Sequence, residues 1–301
     1  MSMDLGKKGL ILVFCTAIIS GFSIFLNKHA VTGMNPYVFT FLKNVIVALA
    51  LVSLLIFFME LKTLKTLTKK QWLQLSVIGV FGGGIPFLLF FKGLTLTNAA
   101  MGSFIQKTMF LYVALFAVIF LKEKLKRTVF ISALLLLVGS LLLLKLTQFS
   151  FGFGDILILT ATLFWAFENT LSKHVLKKLS GTIVAAARMF FGSIFILIFL
   201  AITNQLSLVS TISSAQLGWI FFTALLLLGY VLTWYNGLKH VNVTTATAIL
   251  LIGSPITTLL NFFFAHKVMG VVEVLGIISI FAGIGLLLFT KNQTTLSTAY
   301  P

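Results

Sequence analysis

Apolar residues occur along the chain in ten long runs, each about 17 to 23 residues, separated by short polar stretches. The runs cover 9–27, 37–58, 72–91, 99–121, 128–144, 155–172, 182–203, 217–236, 244–265 and 268–290. A helix rises 1.5 Å per residue, so a run of this length spans a hydrocarbon core of about 30 Å. Backbone polar groups in lipid must be satisfied within the segment, which makes each run a helix. The pattern predicts an all-α integral membrane fold of ten transmembrane helices, with no room for a soluble domain between any two. Residues 293–301 read as a short, disordered polar tail.

Helix breakers interrupt two of the runs. Gly82, Gly83, Gly84 and Pro86 fall in the third, and Gly253, Ser254 and Pro255 in the ninth. Proline removes a backbone hydrogen bond and glycine adds freedom, so Gly83, Pro86, Gly253 and Pro255 are candidate hinges whose freed carbonyls face a polar interior. Gly276, Ser279 and Gly283 in the tenth run predict a close helix contact.

The order of runs repeats. FKGLTLTNAAMG around Gly93 matches YNGLKHVNVTTA around Gly237, and Gly139 matches Gly283, all at an offset of 144. Earlier in each half the offset is 145, pairing Lys28-His29 with Lys173-His174 and Lys43 with Arg188. Five runs per copy is an odd number, so the second copy inserts upside down: two inverted five-helix repeats, 1–148 and 149–292. Inverted repeats place a transport site near the midplane between the halves.

Composition agrees: 59% hydrophobic and only 9% charged residues, against about a quarter charged in soluble domains. The formal charge of +16 would point to nucleic acid if the cations were clustered, but they sit mostly in short loops. With the N-terminus inside, fifteen Lys and Arg fall on the inner side and four on the outer, so both termini are expected to be cytoplasmic and nucleic acid is excluded as a partner. The single cysteine, Cys15, excludes an intrachain disulfide. The charged start before the first run has no convincing cleavage site, so that run is expected to stay as the first span.

Only six acids occur, and five lie at or near run ends. Glu168 does not; with Asn169 it lies within the sixth run. An acid at membrane depth faces a partner or a polar interior and is a functional candidate by default, for substrate or for a coupling proton. Lys107 lies roughly 13 Å below the outer end of its run and Glu168 roughly 20 Å below the same face, which predicts a shared cavity or an ion pair. Trp165 and Phe164 fall on the side of Glu168 and would flank a bound amine. Lys43 and Arg188 lie six or seven residues inside their runs, recur in both copies, and read as snorkelling scaffold or gating charges.

Ten spans as five plus five, Lys43 and Arg188 early in spans two and seven, Glu123 after span four, and the segment GDILILTATLFWAF at 154–167 together resemble the EamA type of the drug/metabolite transporter superfamily. The resemblance implies a secondary transporter of small organic metabolites in the inner or plasma membrane, and its members commonly export amino acids and similar compounds. One departure is clear: Lys267 stands where the second copy would repeat Glu123. Within this reading Lys107 meets the carboxylate of a zwitterion and Glu168 its amine. Two alternatives are an organic-amine permease using Glu168 and aromatics, and a phosphate or sugar-nucleotide exchanger using Lys107 and Arg188. Partners are a small-molecule substrate and the bilayer, and the sequence carries no oligomer signature. No cofactor or metal is called for, and no nucleophile–base constellation suggests an enzyme.

Overall fold

The computed structural model describes residues 4–124, 126–143, 151–264 and 270–297, with side chains described up to 286. The reading of Lys267 as the replacement for Glu123 lies outside the described residues. Ten membrane helices are present: α1 (Leu5–Val31), α2 (Pro36–Phe57), α3 (Lys69–Leu96), α4 (Ala99–Leu121), α5 (Arg127–Leu143), α6 (Phe153–Val175), α7 (Gly181–Ile202), α8 (Ser214–Leu238), α9 (Val243–Phe264) and α10 (Val271–Ser297). No strand occurs among the described residues. Length and hydropathy alone mark seven of these as bilayer-crossing, and α5, α6 and α10 complete the set through their places in the two repeats.

Local chemistry starts several helices close to where the pattern predicts. Asn35 accepts from the amides of Tyr37 and Val38 at 2.9 and 3.2 Å, and Pro36 opens α2 in the first-turn position that proline tolerates. Thr68 with Gln71 and Ser213 with Gln216 form capping boxes at the starts of α3 and α8, the same box in both copies. Short helices at Leu61–Lys65 and Leu206–Thr211, which the apolar pattern does not show, also occupy matching places before these boxes. The last helix continues to Ser297. KNQTTLS contains no glycine or proline to stop it.

Packing follows the internal symmetry. Helix α5 lies along α10, α2 along α7, α1 along α8, and α6 along the second half of α3. Small residues set the closest crossings. A Cβ on Gly9 would lie 3.1 Å from the Gly237 carbonyl, and one on Gly154 2.9 Å from that of Gly93. One on Gly139 would lie 2.7 Å from the carbonyl of Gly276, and Ser279 donates to the Leu135 carbonyl at 2.8 Å. The expected close contact of α10 is therefore with α5. In lipid, where tails are as apolar as leucine, such approach supplies the dispersion contacts that hold helices together. The outward surface carries large apolar side chains such as Phe22, Leu115, Phe120 and Phe221.

Three helices are discontinuous. In α3 a π-helical turn, Gly79–Gly84, separates Lys69–Ile78 from Ile85–Leu96. Helix α9 breaks between Leu250 and Gly253, as the Gly-Ser-Pro triplet predicts. Helix α4 also breaks, between Lys107 and Met109, with no glycine or proline at the junction. Thr108 and Ile252 are 144 apart, so the α4 break is the repeat image of the one in α9.

Candidate functional site

A small cavity, about 60 Å³ in volume, lies among α1, α2, α3, α4, α6, α7 and α8. Helix α1 contributes Ser20, Ser23, Ile24 and Asn27, and α2 contributes Lys43. Phe87, Phe90 and Phe91 come from α3, Gln106 and Met109 from the two sides of the α4 break, Trp165 and Asn169 from α6, Arg188 from α7, and Leu227 and Tyr230 from α8. Aromatic faces and a few amide and hydroxyl groups around two cations form the composition expected of a small-molecule site.

Both cations are buried, Lys43 at 1% exposure and Arg188 at 4%, so neither snorkels to a headgroup layer as expected from position alone. They sit too deep, and the interior offers them partners. The Lys43 ammonium donates to Asn27 Oδ1 at 2.9 Å and lies 3.9 Å from the Phe91 ring centre. The Arg188 guanidinium donates to the Gly82 carbonyl at 2.9 Å and stands 5.2 Å from the Phe87 ring and 5.8 Å from that of Tyr235. The Gly82 carbonyl, freed by the π-helical turn, also accepts from the Trp165 indole at 2.8 Å. Asn44 donates to the next freed carbonyl, that of Gly83, at 2.9 Å. The glycine run thus turns backbone acceptors toward the polar centre, a recurring use of π-turns.

Lys107 and Glu168 do not meet. The Lys107 ammonium, at the end of the first half of α4, donates to Ser20 Oγ at 2.6 Å and Gln106 Oε1 at 2.8 Å. Both acceptors line the cavity, which places Lys107 one residue behind its wall. Its Cε also packs where a Cβ on Gly253 would be, 3.2 Å away, at the α9 break. Glu168 is wholly buried; its Oε1 accepts from Ser172 at 2.5 Å and from Tyr235 at 2.7 Å. Depth estimates along two separate helices gave no azimuth, and the two side chains point to different neighbours.

Of the residues singled out beside Glu168, Trp165 and Asn169 face the cavity and Phe164 does not. Asn169 accepts from the Trp234 indole at 2.8 Å, tying α6 to α8. Phe164 is half-buried and packs on Phe81, with ring centres 5.5 Å apart. Gly83 lies within the π-helical turn and Pro86 just after it, and Gly253 and Pro255 open the second half of α9. Sequence reasoning missed Asn27, Ser20, Ser23, Gln106, Tyr230 and the three phenylalanines of α3. The repeat offset pairs Asn27 with Ser172 and Ser23 with Glu168, which was a readable signal for the first and third.

Glu123 is placed at the other end of the molecule. Its carboxylate accepts from the amides of Val243 at 3.0 Å and Thr244 at 3.3 Å, and from the Thr244 hydroxyl at 2.9 Å. An acid from the first repeat thereby caps the first half of α9 in the second. No group of His, Cys, Asp and Glu suited to a metal occurs among the described residues.

Comparison with known proteins follows the same division. A model of the EamA-like transporter family matches twice, at residues 7–145 and 152–289. The chain is 26% identical over 295 residues to an uncharacterized transporter of Clostridium kluyveri, covering 92% of each chain. It is 25% identical to the uncharacterized transporter YyaM of Bacillus subtilis, over 89% of this chain and 91% of that one. A solved crystal structure superposes with a TM-score of 0.74 at 16% identity, covering 96% of this chain and 99% of the other, a likeness of fold. Two family matches, one on each five-helix copy, account for almost the whole molecule, and this multi-pass membrane protein belongs to the EamA-like transporter family.

Proposed function

We propose that the protein is a secondary transporter that moves a small organic metabolite across the plasma membrane by alternating access, with the central cavity as its substrate site. The leading substrate class is an amino acid or a related small carboxylate-bearing compound. One observation carries the reading: two buried cations, Lys43 and Arg188, stand in one cavity walled by Phe87, Phe90, Phe91 and Trp165. Lys43 has only a neutral oxygen and aromatic rings about it; a buried charge without a counter-ion is costly, and a bound carboxylate compensates it. The discontinuous helices α3 and α4, which line the cavity, supply places where its walls bend as the two repeats exchange conformations.

An amine permease is less well supported. It needs an acid facing the substrate, and among the described residues the cavity lining contains none. Glu168, the nearest acid in sequence terms, is engaged by Ser172 and Tyr235.

The test is counterflow in proteoliposomes containing the purified protein. A carrier shows saturable uptake of a labelled amino acid that rises when unlabelled compound is preloaded. Uptake that grows linearly with concentration and ignores preloading would identify a channel and overturn the reading.

A further inference from the structure

The two halves of the cavity are built on one plan and differ in charge. Lys43 and Arg188 are repeat mates, as are the aromatic rings beneath them, Phe91 and Tyr235. Positions one and two turns away on the preceding helix also correspond, Ser23 and Asn27 in the first copy, Glu168 and Ser172 in the second. In the second copy an acid stands by the cation. A Cβ on Gly82 would lie 2.6 Å from Glu168 Cγ and 3.0 Å from Arg188 Nε, so the two side chains flank the same glycine. Glu168 Oε2 and Arg188 Nε, on the two sides of that glycine, both lack a hydrogen-bond partner.

In the first copy no acid is present. Lys43 has the neutral Asn27 oxygen, whose own amide donates to Ser23 Oγ at 2.9 Å. The other five acids are used elsewhere. Asp4, Asp155 and Glu273 accept from amides near the starts of α1, α6 and α10. Glu60 accepts from Ser180, and Glu123 caps α9. Lys107, behind the wall beside Ser20, adds a second positive charge to this side, and its repeat mate is Leu251.

From this asymmetry we propose that the first-repeat half of the cavity is an anion subsite in which Lys43 receives the carboxylate of a monoanionic or zwitterionic substrate. Arg188, its mate, is compensated in place by Glu168. The inference rests on the cavity being the transport site and goes further, naming which cation binds and why only one does. A monocarboxylate satisfies Lys43 at the cost of one ion's dehydration, whereas a second anionic group would meet a half already neutralised.

Purified protein is titrated by thermal shift with small amino acids, propionate, succinate and choline as sodium or chloride salts, beside counterflow of the same compounds. The wild type is stabilised saturably by an amino acid or propionate and not by choline. Lys43→Gln weakens that binding by about tenfold or more, and Lys43→Arg restores most of it. Asn27→Asp, which gives Lys43 an acid at hydrogen-bond distance without removing volume, abolishes binding while raising thermal stability. Glu168→Ser, which puts the first repeat's residue into the second, frees Arg188 and improves succinate binding about tenfold relative to the wild type. Monodisperse elution confirms that each variant is folded, and should Lys43→Gln not fold, Asn27→Asp carries the decision. Equal carboxylate binding by wild type and Asn27→Asp, preference for choline, or no response to any compound overturns the subsite. Counterflow that persists without Lys43 dependence leaves the carrier standing and removes the subsite. Lys43-dependent binding without counterflow does the reverse.

Discussion

Lys28 and Lys173 make one and the same contact in opposite halves of the molecule. The Lys28 ammonium donates to the Leu94 carbonyl at 2.8 Å, and the Lys173 ammonium donates to the Leu238 carbonyl at 2.8 Å. Leu94 and Leu238 are themselves repeat mates, near the ends of α3 and α8. A cation at a helix C-terminus satisfies orphan carbonyls and opposes the negative end of the dipole. Lys28→Met and Lys173→Met should each lower stability by about 1–2 kcal/mol, and the double variant by about the sum, since the sites lie at opposite ends. Thermal unfolding followed by fluorescence in detergent reads this directly; a loss for one lysine alone would show that the contacts are not equivalent.

Gly83 gives a sharper contrast. A Cβ there would lie 2.2 Å from the Arg188 carbonyl, a backbone atom of α7 that cannot step aside. Gly83→Ala should cost about 3 kcal/mol, enough to reduce the yield of folded protein, and should shift Arg188. Gly218 in α8 has nothing within 4 Å of such a Cβ. Gly218→Ala should be neutral or add up to about 1 kcal/mol through helix propensity. Parallel purification and melting of the two variants decides the matter.

His240, just beyond the end of α8, titrates below its ordinary value of 6.5 because partial burial and then the charges of Lys239, Lys173 and Lys8 disfavour its protonation. The unfolded chain therefore takes up this proton at a higher pH than the folded one. Stability is fully present above the ordinary value and falls as pH drops through it toward the folded value. The melting temperature should decline modestly below pH 6.5. In His240→Gln that part of the slope should vanish, and an unchanged slope would remove His240 as its source.

The basic count predicts that the Leu61–Lys65 loop is inside and the Leu206–Thr211 loop outside. In a Cys15→Ser background, Ser207→Cys should react with an impermeant thiol reagent applied to intact cells, and Thr66→Cys should react only after the membrane is opened. The reverse pattern would invert the topology and put both termini outside.

Ten helices, their order, and the relation between the halves were legible from the chain alone. In lipid each span satisfies its own backbone hydrogen bonds, so length and apolar content decide the element without help from its neighbours. The repeat was legible because residues with the same job recur at the same spacing, as Lys28 and Lys173 show. What needed the tertiary structure was azimuth, the direction in which a side chain leaves its helix once the helices are packed. Depth along the axis put Lys107 near Glu168, but packing turned one to Ser20 and Gln106 and the other to Ser172 and Tyr235. It also drew Lys43 and Arg188, which a single helix would let snorkel, into the central cavity. The break in α4 has no breaker residue at its junction, and it lies in the helix that packs against its repeat mate, α9. A linear pattern specifies which residues share a helix; which of them share a cavity is set by contacts between residues far apart in the chain, and those exist only in the folded bundle.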